Sequence, residues 1–433
     1  APGVQPPAEA DVPRVVPMVS VENLGRRAGT IAARFFDHPS AELRVIGVTG
    51  TDGKTSCSHF IAQALDGDTV PCGLIGTLGY GRYGHLESGL HTTPDAITLQ
   101  SELARLRDLG AQRVVMEVSS HALHQNRIDA VAIETAVLTN LGRDHLDYHS
   151  DLSGYAEAKR RLFRHPGLRH AVLNIDDPFG CELLASLDGN VQPVLYGFGT
   201  PPATSGLQMV RGSALQMDTD GLRMQIDGSW GSGQLSSGLL GRFNGSNLLA
   251  AAAVLLVSGM PFQQVLSRLA ATRTVAGRME RVGDGPGRPL VVVDYAHTPQ
   301  ALEHVLTALR AHCDGALWCV FGAGGDRDRG KRPLMGEAAE RLADHLVVTD
   351  DNPRHEDATQ IVVDILAGLQ DPDAAYVERD RARAIGLAIG QARPGDVVLV
   401  AGKGHETYQQ IGDRRLPFSD REQVLESLGG LAP

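Results

Sequence analysis

The stretch GVTGTDGKTS, from Gly47 to Ser56, decides how the rest of the chain is interpreted. A strand-like run, LRVIGV (43–48), leads into it, and a helix-like run, SHFIAQAL (58–65), leaves it. A glycine turn between a strand and a helix directs backbone N–H groups and the positive end of the helix dipole at an anion. Lys54 adds a charge for phosphate oxygens and Thr55 a hydroxyl for Mg²⁺, so the stretch predicts a phosphate-binding loop.

The match to the general P-loop pattern is incomplete, because Val48 occupies the place of its first glycine. The alternative interpretation is a tight turn with a surface lysine. The position of Gly-Lys-Thr at a strand-to-helix junction favours the phosphate loop.

Composition narrows the possible classes of protein. A chain of 433 residues predicts two or three domains, and a net charge of -11 argues against nucleic-acid binding. The five cysteines are scattered without metal-type spacing, which fits free thiols in a reducing compartment. No apolar run is long enough to span a bilayer, and the proline-rich, acidic N-terminus is unlike a secretory signal. We therefore expect a cytoplasmic protein without membrane insertion.

The pattern of apolar runs predicts an α/β protein with three parts. Residues 41–279 alternate strand-like and helix-like runs, which predicts a central P-loop-type domain with a mostly parallel sheet. Within it, residues 197–240 are rich in Gly, Ser and Thr and indicate an inserted antiparallel piece, followed by a helix from near Asn247. Residues 1–40 carry one weak strand, VVPMV (15–19), and one amphipathic helix, which are too few for an independent core.

Residues 280–433 predict a second, Rossmann-like α/β domain. Its strand-like runs LVVVD, LWCVF, HLVVTD and DVVLVA each end in a polar or glycine-containing loop. In open parallel sheets, ligands bind at the carboxyl ends of the strands. We therefore expect these four loops to form a site that faces the first domain, the alternative being four unrelated turns.

Two stretches of the central domain carry candidate metal ligands. Glu117 ends the run RVVME, where a carboxylate suits Mg²⁺, although a solvated strand end is the alternative. NLGRDHLDYH places Asp144, His145, Asp147 and His149 close together, but the spacing matches no standard zinc site. A helix cap with surface histidines is as good an interpretation of that stretch. From spacing alone, Lys159 in YAEAKRRLF is an ordinary helix-surface lysine.

Two stretches of the second domain suit recognition of an amino acid. The arginines of GGDRDRGKR (324–332) fit a carboxylate or phosphate better than the stretch fits a dinucleotide fingerprint, since Arg327 stands at its third glycine position. In DNPR, Pro353 stiffens the turn, Asn352 offers an amide and Arg354 offers a planar fork for a carboxylate.

Taken in order, the motifs of this chain resemble those of the Mur ligase family, in the UDP-N-acetylmuramoyl-tripeptide synthetase type. The motifs are GTDGKTS, EVSSHAL, NLGRDHLDYH, YAEAK, GRFNGSNLLAA, VDYAHTP, GGDRDRGKRPLMG, TDDNPR and AGKGHE. The resemblance runs from about Val15 to Leu428. Such enzymes ligate an amino acid to UDP-MurNAc-L-Ala-D-Glu in bacterial wall synthesis, with ATP and Mg²⁺. The resemblance therefore implies small-molecule substrates, and we expect a monomer.

The resemblance implies a role for each matching position. The residues that would bind ATP are Gly50, Thr51, Asp52, Gly53, Lys54, Thr55, Ser56, Asn247, Arg278 and Asp294. Those around magnesium would be Thr55, Glu117, His145 and Lys159, the last as a carbamate, and the catalytic set would be Lys54, Lys159 and His145. The muramoyl dipeptide would contact Thr92, Thr93, Ser119, Gln125 and Arg127. The amino-acid pocket would comprise Arg327, Asp351, Asn352, Pro353, Arg354, Gly402 and Glu406.

The DNPR form of that pocket is similar to family members that add meso-diaminopimelate. Arg354 would pair with the distal carboxylate of this substrate, and Glu406 with Gly402 would hold its distal amino group. Lysine and ornithine lack that carboxylate and remain alternatives.

The chain departs from the family pattern in two places. Asp52 stands where the family usually has Asn, and a carboxylate there repels phosphate unless it turns outward or meets a cation. At the front, only the last strand and helix of the family's uridine-binding domain are recognisable, so we expect that domain to be largely missing. Either the sequence is truncated, or this member holds its nucleotide-sugar differently. A folylpolyglutamate-synthase-type ligase and a non-catalytic nucleotide-binding homologue are the rival interpretations.

Overall fold

A computed structural model describes residues 19–67, 70–142, 144–149, 151–200, 206–283 and 287–429, without the side chains of 146 and 147. The predicted strand at 15–19 falls almost entirely outside these residues. The predicted helix at 21–36 is present as α1 (Leu24–Phe35).

The central sheet carries the phosphate loop and is mostly parallel. Its strands are β1 (Arg44–Thr49), β2 (Cys72–Gly76), β3 (Gly79–Arg82), β4 (His85–Glu87), β5 (Arg113–Glu117), β6 (Ile133–Leu138), β7 (His170–Asn174), β8 (Gln192–Gly197), β9 (Gln208–Asp218), β10 (Gly221–Gly228) and β11 (Gly231–Ser237). They lie in the order β11-β10-β9-β8-β7-β6-β1-β5-β2-β3-β4. The neighbouring strands β9, β8, β7, β6, β1, β5 and β2 all run parallel, which confirms the predicted, mostly parallel sheet.

The second sheet has the order β12-β13-β17-β14-β15-β16. Its strands are β12 (Glu280–Arg281), β13 (Leu290–Asp294), β14 (Leu317–Phe321), β15 (His345–Val348), β16 (Tyr376–Val377) and β17 (Val397–Ala401), and a separate hairpin is formed by β18 (Tyr408–Ile411) and β19 (Arg414–Pro417). The four predicted strands β13, β17, β14 and β15 are neighbours and run parallel. Their carboxyl ends therefore meet at one edge, as the sequence predicts.

Helices cover the sheets and connect successive strands. They are α1 (Leu24–Phe35), α2 (Lys54–Leu65), α3 (Ala96–Asp108), α4 (Ser120–His124), α5 (Leu146–His149), α6 (Leu152–Phe163), α7 (Pro178–Ala185), α8 (Arg242–Val257), α9 (Phe262–Ala270), α10 (Pro299–Arg310), α11 (Lys331–Leu342), α12 (Ala358–Leu366), α13 (Arg381–Gln391) and α14 (Asp420–Gly429), with short 3₁₀ turns at Pro39–Ala41 and Pro372–Ala374. In the described part of the chain, no helix is both long and apolar enough to cross a membrane.

The core of the central domain lies on both faces of its sheet. On one face, α2 and α8 pack together and bury Phe60, Ile61 and Leu249 against the strands. On the other face, α3 and α6 bury Leu103 and Phe163. Burial on both faces explains why the parallel strands are continuous apolar runs.

The start of one helix and the attachment of the antiparallel strands differ from the sequence prediction. Helix α8 begins at Arg242 rather than near Asn247, because its first turn is the polar stretch RFNGSN, which apolar periodicity cannot detect. The antiparallel piece is present as β9 to β11, but it is not a separate insertion. Strand β9 pairs in parallel with β8, so the piece extends the central sheet.

A buried histidine connects the two sheets' domains. His312 follows α10 in the second domain and is 1% exposed. Its Nε2 accepts the backbone N–H of Gly241, which precedes α8, at 2.8 Å, and its Nδ1 lies 2.6 Å from the carbonyl oxygen of Asp218 at the end of β9. These partners require a neutral ring protonated on Nδ1. Burial, as the largest cause, lowers the pKa of His312, which stabilises that neutral form.

We predict that His312→Ala lowers the free energy of unfolding by about 1–3 kcal/mol, because the N–H of Gly241 loses its acceptor. Urea denaturation at pH 7.5 measures the loss. The exposed His85 on β4 provides the control His85→Ala, which should leave stability unchanged.

The same contact gives a pH dependence. Below the ordinary histidine pKa of 6.5, His312 is protonated in the unfolded chain but stays neutral in the folded protein, because its pKa is lowered there. The contribution of His312 to stability is therefore lost as the pH falls from 6.5. The stability of His312→Ala should therefore decline less steeply over that window than the stability of the wild type. Equal slopes would contradict the assignment.

Candidate active site

The phosphate loop lies between β1 and α2 and its shape requires two glycines. A Cβ on Gly50, where φ is 156°, would lie 1.8 Å from the Thr139 hydroxyl oxygen. Gly53 has a left-handed φ of 78°, and a Cβ there would lie 2.8 Å from Asn247 Oδ1. The Asn140 side chain accepts the backbone N–H of Asp52 at 2.9 Å, which fixes the turn from the neighbouring strand. Helix α2 begins at Lys54, so its N-terminus points into the loop, as the sequence predicts.

Two lysines, the half-buried Lys54 and the buried Lys159, share one carbonyl oxygen in this loop. Lys54 Nζ donates to the carbonyl oxygens of Gly50 and Thr51, both at 2.9 Å. Lys159 Nζ donates to the same Gly50 oxygen at 2.6 Å, although it comes from α6. Lys159 is 1% exposed, so the interpretation as a surface lysine, made from spacing alone, is wrong. Burial first, and the charge of Lys54 second, hold the pKa of Lys159 well below its ordinary value.

Asp52, the unusual residue of the loop, stays exposed at the edge of the site. Its negative charge acts on both lysines and raises the pKa of Lys54 and of Lys159 against the larger effect of burial. The carboxylate is therefore exposed and lies within electrostatic range of two lysines, which lessens its repulsion of phosphate.

A cluster of side-chain oxygens surrounds Glu117 at the end of β5. The carboxylate is fully buried, and its Oε2 accepts the hydroxyls of Thr55 at 2.9 Å and Thr77 at 3.1 Å. Its Oε1 accepts the backbone N–H of Thr77 at 2.8 Å. Burial raises the pKa of Glu117, and the hydrogen bonds and Lys54 oppose that effect. Carboxylate and hydroxyl oxygens together are ligands that suit Mg²⁺.

His145 belongs to an aromatic cluster beside this oxygen cluster. Its ring lies 4.8 Å from His121 and 6.1 Å from Tyr155, centroid to centroid, and its Nε2 lies 3.3 Å from Asp144 Oδ2. Among the side chains that the structure describes, no group of three or more His, Cys, Asp or Glu is arranged to hold a metal ion, so a zinc site is not supported here. The side chain of Asp147 is outside the described residues.

Two cavities meet at the phosphate loop. The first has a volume of about 260 Å³ and is lined by Thr51, Asp52, Gly53, Lys54, Thr55, Ser56, Thr77, Thr92, Glu117, Ser119, Ser120, His145, Tyr155, Lys159 and Arg278. The second, of about 930 Å³, lies between the two domains. Its lining includes Asp52, Gly53, Ser56, Asn247, Arg278 and Asp294. The structure thus brings most of the residues expected around ATP and magnesium to two adjoining cavities.

The residues expected to hold the nucleotide line the second cavity from both domains. Asn247 of α8 is buried and donates to Asn244 at 3.2 Å. Asp294, at the end of β13, is also buried, and its carboxylate accepts the backbone N–H groups of Met279 and Ala296, each at 2.7 Å. Burial raises the pKa of Asp294 against these bonds. Arg278 lies over the Tyr295 ring at 5.3 Å.

The residues expected to hold the dipeptide form a connected network. Thr93 donates to the carbonyl oxygen of Glu117 at 2.8 Å and accepts the N–H of Ser119 at 3.0 Å. Arg127 donates to the carbonyl oxygen of Thr93 at 2.7 Å and to Gln125 Oε1 at 2.6 Å. A further expected residue, Thr92, lies with its hydroxyl 3.1 Å from that of Thr77.

The amino-acid residues form a third cluster at the edge of the second sheet. Asn352 donates to Glu406 Oε2 at 2.9 Å, and its own Oδ1 accepts from Lys403 Nζ at 3.0 Å. Lys403 is fully buried, and its Nζ also lies 3.2 Å from Glu406 and 3.9 Å from Asp351. A Cβ on Gly402 would lie 2.6 Å from Asp351 Oδ2, so this close approach requires glycine.

Two arginines border this cluster. Arg354 is half-buried and donates from Nη1 to the carbonyl oxygen of Gly325 at 2.7 Å. Pro353, before it, is buried, whereas Arg327 is exposed. Both arginines approach Gly324, since a Cβ there would lie 2.8 Å from Arg354 Nη1 and 3.7 Å from Arg327 Cγ.

Comparison with known proteins agrees with this arrangement. The family model of the Mur ligase middle domain matches residues 48–255, and that of the Mur ligase glutamate ligase domain matches residues 277–404. The chain belongs to the Mur ligase family.

Curated relatives and solved structures extend this result. The chain is 56% identical, over 96% of its length and 82% of the relative's, to the UDP-N-acetylmuramoyl-L-alanyl-D-glutamate–2,6-diaminopimelate ligase of Alkalilimnicola ehrlichii. It is 50% identical to the protein of the same name from Coxiella burnetii, over 95% of this chain and 84% of that one. A solved structure of such a ligase is 38% identical and has a TM-score of 0.75, over 94% of this chain and 82% of that one. Folylpolyglutamate synthase of Mycobacterium tuberculosis has a TM-score of 0.66 at 19% identity, over 94% of this chain and 96% of that one, which shows a shared fold alone.

Sequence reasoning missed three residues of this Mur ligase that contact its candidate site. Thr77 and Tyr155 lie in the first cavity, yet neither belongs to a residue pattern with an obvious chemical role. Lys403 could have been found, because it stands between the two glycines of AGKGHE at the carboxyl end of a fully apolar strand. A lysine there is buried and needs partners of opposite charge.

We predict that Gly50→Ala in this Mur ligase lowers the free energy of unfolding by at least about 2 kcal/mol, because the added methyl group collides with Thr139. Urea denaturation measures the free energy of unfolding, and calorimetric titration measures the affinity of the phosphate loop for ATP. The control is Gly110→Ala, whose φ of 83° is also positive but whose added Cβ meets nothing within 4 Å. If both variants lose the same stability and both bind ATP normally, the close approach at Gly50 is not required.

Proposed function

We propose that this Mur ligase joins meso-diaminopimelate to the γ-carboxylate of D-Glu in UDP-MurNAc-L-Ala-D-Glu, at the expense of ATP. The observation that carries the proposal is the meeting of the phosphate loop, the Glu117 oxygen cluster and buried Lys159 in one cavity. Relatives that cover most of this chain carry the name of that ligase. The reaction needs ATP because a free carboxylate is a poor electrophile.

The chain's own residues would perform the first step by positioning and charge. The γ-carboxylate attacks the γ-phosphoryl group of ATP, which forms an acyl phosphate and releases ADP. This step brings two anions together, so it needs the N–H groups of the loop and the ammonium of Lys54 as fixed positive charge. The amine of the incoming amino acid then attacks the carbonyl carbon, and phosphate leaves. Asn247, Arg278 and Asp294 would hold the nucleotide in the second cavity.

Mur ligases use Mg²⁺ with ATP, and the donor atoms here fit that ion. Thr55, Glu117, His145 and Lys159 would hold it, and the hydroxyl and carboxylate oxygens around Glu117 are the ligands that a hard cation prefers. When bound, Mg²⁺ supplies positive charge against the phosphate oxygens.

Lys159 would serve as a carbamate. A bare ammonium at this position would repel a metal ion, whereas a carbamate offers anionic oxygen. Burial and the neighbouring Lys54 lower the pKa of Lys159, so its amine is more easily neutral. The neutral nitrogen adds to CO₂, a C–N bond forms, and the released proton passes to solvent.

We predict that Lys159→Ala lowers kcat by about a hundredfold or more, because the anionic ligand is lost. Phosphate release from ATP measures the rate. Added bicarbonate should not restore activity, because alanine has no amine to carboxylate. Glu157→Gln, on the exposed face of the same helix, is the control and should keep activity. Electron density for an unmodified Lys159 amine far from the metal, in crystals with Mg²⁺ and an ATP analogue, would contradict the carbamate.

The cluster at the edge of the second sheet, around Asn352 and Glu406, would select the amino acid. Arg354 would pair with the distal carboxylate of diaminopimelate as a planar fork, and Glu406 with Gly402 would hold its distal amino group. Arg327, Asp351, Asn352 and Pro353 would complete this pocket, and Thr92, Thr93, Ser119, Gln125 and Arg127 would contact the muramoyl dipeptide.

We predict that phosphate release depends on both the dipeptide precursor and meso-diaminopimelate, and that L-lysine or L-ornithine supports little. Arg354→Lys should raise the KM for diaminopimelate about tenfold or more, since a lysine keeps the charge but loses the two-pronged contact. The KM for ATP is the internal control and should not change. Equal use of lysine and diaminopimelate by the wild type would overturn the specificity but not the ligase activity.

We propose that the protein acts in the cytoplasm, where nucleotide-linked precursors are available. All five cysteines are free thiols, which suits a reducing compartment. The substrates are small molecules, and we expect a monomer.

A further inference from the structure

Three separate segments meet at Arg354, one at its guanidinium and one at its backbone, with the third being its own segment after β15. The segment after β14 contributes Gly325, and the β18–β19 hairpin contributes Gln410 and Gly412. Arg354 donates its N–H to the carbonyl oxygen of Gln410 at 3.0 Å, and its own carbonyl oxygen accepts the N–H of Gly412 at 2.7 Å. Arg354 itself has a left-handed φ of 51°, so its guanidinium direction depends on a backbone conformation that the neighbours must stabilise.

The next residue, His355, connects the same three segments through its side chain. Its Nδ1 lies 2.9 Å from Asp326 Oδ2 in the segment after β14, and its Nε2 lies 3.0 Å from Asp413 Oδ1 in the hairpin turn. Carboxylate oxygens are acceptors, so both ring nitrogens must donate. Only the protonated imidazolium has two N–H groups, and the neutral ring keeps one of the two bonds.

The other charged groups near His355 are already engaged. Glu356 pairs with Arg332 and Arg329, each at 2.9 Å, and also accepts the backbone N–H of Asp326. These contacts do not depend on the protonation of a histidine. His355 is therefore the contact among these segments that changes within the physiological pH range.

We propose that protonated His355 is a positioning residue that holds the Arg354 segment between Asp326 and Asp413, so that the affinity for the incoming amino acid falls as the pH rises. This inference rests on the proposed role of Arg354 in binding that amino acid. In this proposal His355 acts through its neighbour Arg354, since both of its ring nitrogens face carboxylates of the protein.

The direction of the pH effect follows from the two carboxylates. Hydrogen bonds to Asp326 and Asp413 raise the pKa of His355 above its ordinary value of 6.5. The double contact is thus complete below 6.5 and is lost as the pH rises through the raised pKa. Because His355 is 58% exposed, solvent screens the contact, and we expect a change of about two- to fivefold in KM.

The test compares the KM for meso-diaminopimelate from pH 6 to pH 9 in the full-length wild type, His355→Gln and Asp413→Asn. In the wild type, KM should rise about two- to fivefold across this range. Glutamine has no charge to lose, so His355→Gln should show the high KM at every pH, with kcat unchanged. Asp413, which is 97% exposed, can be changed with little risk to folding, and Asp413→Asn should move the rise to lower pH.

Two controls separate the possible failures. His38→Gln, an exposed histidine before β1, should keep the wild-type profile, and the KM for ATP should show no difference between wild type and His355→Gln. The NMR titration of the His355 ring, assigned by its loss in His355→Gln, should give a pKa above 6.5 that falls in Asp413→Asn. If the wild type ligates diaminopimelate but His355→Gln keeps its pH profile, the inference is overturned. If the wild type ligates no amino acid, the proposed function fails instead, and the NMR titration still tests the contact.

Discussion

The carbonyl oxygen of Gly50 is the point on which the site depends. It accepts from Lys54 and from Lys159, so two ammonium groups from different helices converge on one backbone atom. Their mutual repulsion and their burial favour either an anion between them or the loss of one charge. Binding of the ATP phosphates would meet the first condition, and the proposed carboxylation of Lys159 would meet the second. A loop that only closed a turn would not need two lysines at one carbonyl oxygen.

The division of the chain into two sheets gives the reaction its geometry. The central sheet ends in the phosphate loop and the Glu117 oxygen cluster, whereas the second sheet ends in the loops with Asp294 and Asn352. Both sheets are parallel where these loops leave them, so each presents its polar residues at a single edge. The large cavity between the edges draws residues from both domains, and His312 keeps the start of α8 in contact with the second domain.

Charge is distributed differently in the two halves of the site. Around the phosphate loop, the half-buried Lys54 and the buried Lys159 provide positive charge that suits anionic substrates. In the proposed amino-acid pocket, the buried cation Lys403 lies among Asp351, Asn352 and Glu406, so carboxylates that suit an ammonium group are kept there. In the proposed function, Glu406 would contact a substrate amine in addition to Asn352 and Lys403. A zwitterionic amino acid fits this mixture of Arg354 on one side and carboxylates on the other.

The sequence by itself determined the phosphate loop, the parallel strands and the polar loops that follow them, because glycine spacing and apolar runs are local signals. Several different motifs in the order of a known family also indicated the residues for each role. Tertiary structure alone decided that Lys159 is buried, that Thr77 contacts Glu117, that β9 continues the central sheet and that His355 lies between two carboxylates. Each of these facts joins residues far apart in the chain, and their contacts depend on strand order and on the packing of helices over the sheets. Neither the strand order nor the helix packing produces a periodic pattern in the sequence next to these residues.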